Sequence, residues 1–274
     1  MANILLIGNG AREHVIAVTL ISSPQKPKLF SYMKSSNPGI RDLSETTCVG
    51  NYSDLDKIKS YAKDKSIDFA FIGPEEPLSN GVVDELEEIN IHSIGPKKDL
   101  ARLETSKSFT RNLLEKYKIK ASPKFKVFEE LEGISEFINE IEIVIKPDGL
   151  TGGKGVLVQG EHFNTKDKAL DYCKSILKLH SRVIIEEKLE GEEFSLQSFT
   201  DGKDLFDCPP VQDHKRVFEG DTGPNTGGMG SYSCNDHLLP FLTKYDIESA
   251  HDITTKVLSA LSKETNSFYK GVMY

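Results

Sequence analysis

Four stretches of the sequence combine residue types that can do chemistry. Gly149-Leu150-Thr151-Gly152-Gly153-Lys154-Gly155 holds four glycines and a lysine. Glycine leaves backbone N–H groups open to a ligand and lysine neutralises charge, which is what a triphosphate needs. The run departs from the G-x-x-x-x-G-K-[ST] pattern, because Gly155 follows Lys154. Lys146 closes the apolar run before it and can reach the same phosphates. A surface hairpin with a solvated lysine is the competing reading; a lysine placed at the end of a buried strand argues against it. Asp213-His214-Lys215-Arg216 and residues 221–230 bring acid/base groups, two cations, the donors of Asn225 and Thr226, and backbone freed by Gly223, Gly227 and Gly228. That set suits anionic substrates and a negatively charged transition state. His214 taken alone reads as a surface histidine.

The other two stretches are weaker. Glu186-Glu187-Lys188-Leu189-Glu190-Gly191-Glu192-Glu193 follows Val183-Ile184-Ile185. Its carboxylates can hold ribose hydroxyls and its strand exit can meet an adenine edge, yet an acidic run is ordinarily a solvated turn. Gly8-Asn9-Gly10-Ala11-Arg12-Glu13-His14 follows an apolar run and opens a helix, the usual setting of an anion site. A dinucleotide fingerprint wants glycine at position 13; Glu13 disfavours NAD, and a tight turn without ligand competes.

These residues need elements to place them. Residues 4–7, 28–32, 69–72 and 91–94 read as strands, with helices over 12–21, 55–63 and 81–89 between them. Alternation of this kind gives βαβ units and a parallel sheet. Ligands then sit at the carboxyl ends of strands, here Gly8-Asn9-Gly10 and Gly73-Pro74-Glu75. Residues 99–117 are helical, with Ser106 able to cap a helix from Lys107. Strands are predicted over 124–128, 143–146, 156–158, 182–186 and 194–199, and helices over 166–178 and 245–261. Residues 207–232 contain five Gly and three Pro and read as a long ordered loop, a form that is usually functional or disordered.

Composition bounds the answer. The 274 residues carry 34 Lys plus Arg against 42 Asp plus Glu, a net charge of −8. That excludes a chain-wide basic footprint, and so argues against nucleic acid or an anionic membrane as partner. At 38% hydrophobic and 28% charged residues the chain is globular. No apolar run approaches the roughly 20 residues of a membrane span. The N-terminus reads as a buried strand rather than a leader peptide. Cys48, Cys173, Cys208 and Cys234 are scattered, without C-x-x-C or zinc-like spacing, and read as reduced thiols of a cytoplasmic protein.

Gly8 to His14, Gly73-Pro74-Glu75-Glu76-Pro77-Leu78, Lys146-Pro147-Asp148-Gly149-Leu150 through Lys154-Gly155-Val156, and Asp213 to Arg216 with residues 221–230 occur in one order. Together they resemble the phosphoribosylamine–glycine ligase family (glycinamide ribonucleotide synthetases), ATP-grasp enzymes of de novo purine synthesis. The resemblance spans the chain and is most specific over residues 212–232. It implies an α/β fold: an N-terminal doubly wound parallel-sheet domain for substrate over residues 1–103, then an ATP-grasp domain. Residues 104–192 would form the first part of that domain with its small mobile lobe, and 193–274 the start of its larger lobe, incomplete at the C-terminal end. It implies that ATP phosphorylates glycine and that 5-phosphoribosylamine attacks the glycyl phosphate. Carried over by motif, Lys107, Lys146 and Lys154 meet ATP phosphates under a Gly152-Gly153 flap. Glu186, Glu187 and Leu189 hold adenine and Glu193 holds ribose. Gly8, Asn9, Gly10 and Glu75 face phosphoribosylamine. Asp213, Lys215, Arg216 and Asn225, with Pro224, Thr226, Gly227 and Gly228, line the glycine and acyl-phosphate site.

The family's magnesium-binding Glu and Asn and its Arg-Phe-Gly-Asp-Pro-Glu signature do not occur in the sequence. The Mg2+ ligands are therefore expected beyond Tyr274, with no metal site within the chain. The chain is expected to be a shortened form with little or no turnover. A non-catalytic nucleotide-binding fragment and another ATP-grasp carboxylate–amine ligase are the alternatives; residues 213–230 argue against the second.

Overall fold

The computed structural model describes residues 1–151 and 155–273. The expectations at Gly152, Gly153 and Lys154 lie outside the described residues. The chain divides into two compact units. The first comprises Met1–Arg102, Phe199–Phe206 and Leu261–Met273, the second Leu103–Ser198 and Asp207–Ala260.

In the first unit, β1 (Asn3–Ile7), β2 (Lys28–Met33), β3 (Thr46–Val49), β4 (Phe69–Ile72) and β5 (His92–Ile94) form a sheet in the order β3-β2-β1-β4-β5. The registered pairs are all parallel. Between the strands run α1 (Ala11–Ile21), α2 (Pro38–Leu43), α3 (Leu55–Asp64), α4 (Glu75–Asn80) and α5 (Val82–Glu87), and α6 (Lys98–Thr105) follows. Residues of β1 are apolar without alternation because both sheet faces are covered. Leu5 and Ile7 pack with Ile58, Ala70, Ile72 and Leu86 on one side, while Leu6 packs with Ala17, Leu29 and Ile40 on the other. Each of the leucine and isoleucine side chains contributes about 1.5–3 kcal/mol by burial.

The doubly wound sheet matches the sequence expectation, with one strand more than predicted. β3 is half exposed, with the sequence TTCV, and shows no apolar run. α2 is also additional; Asn37 caps it through Gly39 and Ile40, with proline in its first turn. The predicted helix over 81–89 is α5, and α4 precedes it, so Glu75 opens a helix.

The second unit contains α7 (Lys107–Lys116), β6 (Phe125–Phe128), α8 (Ile134–Phe137), β7 (Ile143–Pro147), β8 (Leu157–Val158), α9 (Lys166–Leu179) and β9 (Val183–Glu187). Its sheet has the order β6-β9-β7-β8 and is antiparallel. The period of 2 sorts its two faces. Ile143, Ile145, Val183 and Ile185 pack with Ala169 and Cys173 of α9. Val144, Lys146, Ile184 and Glu186 point the other way. The predicted helix over 99–117 is two helices, α6 and α7, broken at Ser106, whose Oγ accepts from Phe109 N at 3.2 Å.

Residues 207–232 are more ordered than the predicted loop. After β10 (Ser198–Thr200) and β11 (Leu205–Asp207), β12 (Gln212–Asp213) pairs with β15 (Ser231–Tyr232), and β13 (Arg216–Phe218) with β14 (Thr222–Asn225). These ladders are short, polar and glycine-rich, so they carry no apolar period. The predicted strand over 194–199 is shifted to β10, with an isolated bridge from Ser195 to Val211. α10 (Lys244–Thr265) and β16 (Gly271–Met273) follow; β16 joins β10 in the order β11-β10-β16. Gly271 (φ 131°) lies against Gly95 (φ 155°), where an added Cβ would come within 2.9 Å of Gly95 N. Among the described residues no helix is long and apolar enough to cross a membrane.

Candidate active site

Sheet register builds the centre of the second unit. Lys146 of β7 is paired with Ile184 of β9, so Glu186 is its diagonal neighbour on the same face. Lys146 Nζ donates to Glu186 Oε2 at 2.5 Å, and Arg111 Nε, from α7, donates to Glu186 Oε1 at 2.7 Å. The Glu186 side chain is 4% exposed, against 23% for Lys146 and 21% for Arg111. Burial alone would raise its carboxyl; the Arg111 hydrogen bond and the Lys146 charge outweigh that and hold it below the usual carboxylate range. The sequence reading put Lys146 on phosphate and Glu186 on adenine, and the structure places the two side chains on each other.

The start of α7 is tied to the loop that leaves β7. Asp148 accepts from Ser106 Oγ at 3.3 Å, Ser108 N at 3.2 Å and Gly149 N at 3.0 Å, and also from Ser108 Oγ. Burial pushes its carboxyl up, and the bonds from Ser108, Gly149 and Ser106 more than reverse this, leaving it lowered. Lys107 Nζ donates to Gly149 O at 2.7 Å. Its ammonium is lowered by burial first and by the charge of Lys146, against the opposing pull of Asp148. Three cations, Lys107, Arg111 and Lys146, thus stand with two carboxylates, Asp148 and Glu186, at the base of the glycine-rich loop. The sequence reading missed Arg111. Its signal was the i, i+4 spacing from Lys107, which puts both on one face of α7.

Farther along β9, Glu187 N donates to Lys124 O and Lys188 N to Glu142 O, each at 2.8 Å. Leu189 is 67% exposed. Glu193 is exposed and accepts from Lys215 Nζ at 3.2 Å. Arg216 forms a bidentate pair with Glu161, NH1 to Oε2 at 2.9 Å and NH2 to Oε1 at 3.0 Å, and donates to Gly223 O at 2.6 Å. This hydrogen bonding raises Arg216 and lowers Glu161. No spacing signal could have found Glu161. Thr226 N and Oγ1 donate to Lys215 O at 2.6 and 2.9 Å, and Gly228 N donates to Thr226 Oγ1 at 3.1 Å. An added Cβ at Gly228 would meet Asp213 Oδ1 at 3.3 Å. Pro224 and Asn225 are exposed on β14, Asn225 opposite Arg216, and Gly227 is exposed in the turn that follows. His214 stacks on Tyr232 at 5.8 Å between centroids and 18° between planes, a packed aromatic contact.

The first unit has its own crevice. Strand order reverses between β1 and β4, so Gly8-Asn9-Gly10 and Gly73-Pro74-Glu75 face each other at the switch point. Glu13, 4% exposed, fills the space between them and accepts from Gly10 N at 2.6 Å. An added Cβ on Gly8 or on Gly73 would fall 2.3 Å from Glu13 Cγ. The carboxylate therefore occupies the place that a third glycine leaves open in a dinucleotide fold, the physical reason position 13 argues against NAD. Tyr52 OH donates to Asn9 Oδ1 at 2.6 Å, and Asn37 Nδ2 to Asn9 O at 3.1 Å. Burial pushes the Tyr52 phenol up to about 12, so it remains a donor. Arg12 NH1 donates to Gly73 O and to Glu75 Oε1, both at 3.2 Å.

Comparison with known proteins covers the sequence of both units. The family model for the phosphoribosylglycinamide synthetase N domain matches residues 2–104, and that for its ATP-grasp (A) domain matches residues 105–274. The chain belongs to the phosphoribosylglycinamide synthetase family. Proteins named phosphoribosylamine–glycine ligase are similar to it: the one from Methanocaldococcus jannaschii is 49% identical over 280 residues, 99% of this chain and 63% of that protein. The one from Methanopyrus kandleri is 46% identical over 281 residues, 100% of this chain and 63% of that protein. This chain therefore spans about 63% of the length of these curated relatives. The crystal structure of phosphoribosylamine–glycine ligase from Thermotoga maritima matches with a TM-score of 0.77 at 28% identity, over 99% of this chain and 64% of that one. D-alanine–D-alanine ligase from Bacillus anthracis, complexed with ATP, shares the fold with a TM-score of 0.65 at 16% identity, over 99% of this chain and 80% of that one. The boundary between the synthetase N and A domains falls at the end of α6, just before the Ser106 cap.

Proposed function

We propose that the chain carries the nucleotide-binding and glycine-activating part of a phosphoribosylamine–glycine ligase. In this reading ATP phosphorylates the glycine carboxylate. The amine of 5-phosphoribosylamine then displaces phosphate, giving glycinamide ribonucleotide, ADP and phosphate. The observation that carries the reading is the cluster of Lys107, Arg111 and Lys146 against Asp148 and Glu186 at the base of the 149–155 loop. Three cations converge there in a site largely shielded from water, where they act strongly on an anion. Phosphoryl transfer needs positioning and charge stabilisation more than covalent help.

Within this proposal Lys107 and Lys146 hold the ATP phosphates, with Gly152, Gly153 and Lys154 closing over them. Glu186, Glu187 and Leu189 frame adenine and Glu193 the ribose. Asp213, Lys215, Arg216 and Asn225 orient glycine and its acyl phosphate beside Pro224, Thr226, Gly227 and Gly228. Lys215 and Arg216 turn from Glu193 and Glu161 to the substrate anion, exchanging one charge-assisted bond for another. Gly8, Asn9, Gly10 and Glu75 receive phosphoribosylamine. Magnesium is the metal that the family implies. Among the described residues no group of three or more His, Cys, Asp or Glu gathers to hold a metal ion.

Titration calorimetry with ATP tests the reading on the chain and on Lys146→Ala and Lys34→Ala. A charge-assisted phosphate contact is worth about 1.5–3 kcal/mol, so Lys146→Ala weakens ATP by at least about tenfold. Lys34 is bound to Glu76 in the other unit, and its removal leaves ATP affinity unchanged. Equal losses in the two variants, or no ATP binding by the unaltered chain, refute the proposal. Formation of glycinamide ribonucleotide from glycine, phosphoribosylamine and Mg-ATP tests the ligation itself; saturable ATP binding without product leaves a nucleotide-binding module.

A further inference from the structure

Arg111 has no part in the reading above beyond its charge, yet it makes one of the two ion pairs on the most deeply buried carboxylate of the second unit. Glu186 offers two oxygens and each takes a different cation: Oε2 takes Lys146 and Oε1 takes Arg111. The triad therefore holds two positive charges and one negative. A nucleotide phosphate that draws Lys146 to itself turns the ammonium away from Glu186. Without a second cation, that turn would leave a carboxylate 4% exposed, uncompensated, and facing an incoming polyanion. Breaking one side of a buried pair in this way is strongly unfavourable.

We infer that Arg111 is a positioning residue for nucleotide binding: it keeps Glu186 neutralised so that Lys146 is free to move to phosphate. The inference rests on the nucleotide reading of this site. Arg111 suits the task by its chemistry and its place. A guanidinium stays charged under all working conditions and is less costly to desolvate than an ammonium. It comes from α7, a different element from the strand that carries Lys146, so Lys146 can move without displacing it. Lys146, on a flexible four-carbon stem, is the one of the two whose point charge is easily re-aimed. The sheet fixes Glu186 at the end of a buried run of β9, and so fixes where both cations start.

The mechanism predicts a coupling rather than a simple loss. ATP dissociation constants are measured by calorimetry, with magnesium present, for the unaltered chain, Arg111→Met, Arg111→Lys, Glu186→Gln and the double variant Arg111→Met/Glu186→Gln. Arg111→Met alone is expected to weaken ATP at least about tenfold, and Arg111→Lys less than about threefold. In the Glu186→Gln background there is no buried anion to compensate. Arg111→Met is then expected to change ATP affinity less than about threefold. Far-UV circular dichroism and thermal melting confirm that each variant is folded, and if Arg111→Met does not fold, Arg111→Gln measured in both backgrounds carries the same comparison. A loss of equal size in both backgrounds overturns the inference, since Arg111 would then act on ATP directly or on the fold. Unchanged affinity in Arg111→Met overturns it too. Failure of the unaltered chain to bind ATP overturns the nucleotide reading itself, and is distinguishable from either result.

Discussion

Gly73→Ala tests how tightly the first crevice is closed. An alanine Cβ at this position would lie 2.3 Å from both Cγ and Oε1 of Glu13, and 2.6 Å from its Cδ. A flexible surface side chain would step aside, but Glu13 is 4% exposed and its Oε2 is held by Gly10 N at 2.6 Å. Overpacking of this kind costs about 1–3 kcal/mol. If the carboxylate is forced off Gly10, a charge-assisted hydrogen bond worth about 1.5–3 kcal/mol is lost as well. The single variant is therefore expected to lose about 2–4 kcal/mol in the first unit. Glu13→Ala loses the hydrogen bond and about 1.5–3 kcal/mol. In the double variant the clash has no partner, so its loss falls short of the sum by at least about 1.5 kcal/mol. Hydrogen exchange of the β1 amides, read by mass spectrometry, reports on this unit directly, because those strands open only with the sheet. Strictly additive losses, or protection of β1 unchanged by Gly73→Ala, would show that Glu13 does not wedge the two glycine turns.

Three further outcomes are expected. Ser106→Ala removes the α7 cap and a donor to Asp148, and should cost about 0.5–2 kcal/mol in a melting experiment; no change would remove Ser106 from the α7 anchor. Asp148 and Glu186 both have folded pKa values below their ordinary ones. In the acid window the unfolded chain binds more protons, so stability rises with pH. Their contribution is complete above the ordinary carboxylate range and is lost as pH falls through the lowered folded values; Asp148→Asn should flatten that acid limb in urea titrations. Cys173 is fully buried, and burial pushes its thiol up to about 12. Iodoacetamide at pH 8 should leave it unlabelled in the folded chain and label it in urea, and rapid labelling of the native thiol would contradict its place on the buried face of α9.

What was legible in the sequence was whatever short-range pattern encodes. The unbroken apolar run of β1 announced a strand covered on both faces, and Ser106 announced a helix start. The apolar runs before Lys146 and Glu186 announced strands, but the shared face of the two side chains came only with the register of β7 and β9, and the sequence reading gave them separate tasks. What was not legible depends on registry between distant segments. Arg111 meets Glu186 across 75 positions and Arg216 meets Glu161 across 55, and nothing local in either segment marks its partner. The ladders of residues 212–232 were hidden for another reason: they are held by polar groups and glycine backbone, and hydrophobic periodicity is blind to both. β3 failed the same criterion because an edge strand has little apolar surface to bury.

The pairing of cations in this chain has a kinetic consequence. Lys215, Arg216 and Arg12 each already face a carboxylate, Glu193, Glu161 and Glu75 respectively. From a Debye length away, roughly 8–10 Å, such pairs look nearly neutral, and an approaching anion feels little pull from them. Long-range steering raises association rates only where like charges are left to add. Under the proposed function the partner carboxylates act as place-holders: they keep the cations ordered and shield them from stray anions until a ligand is close enough to compete. Encounter with a phosphorylated ligand should accordingly proceed at an ordinary, weakly salt-dependent rate. Discrimination among anions then falls to the exchange step inside the site, where geometry and not total charge decides which carboxylate is displaced.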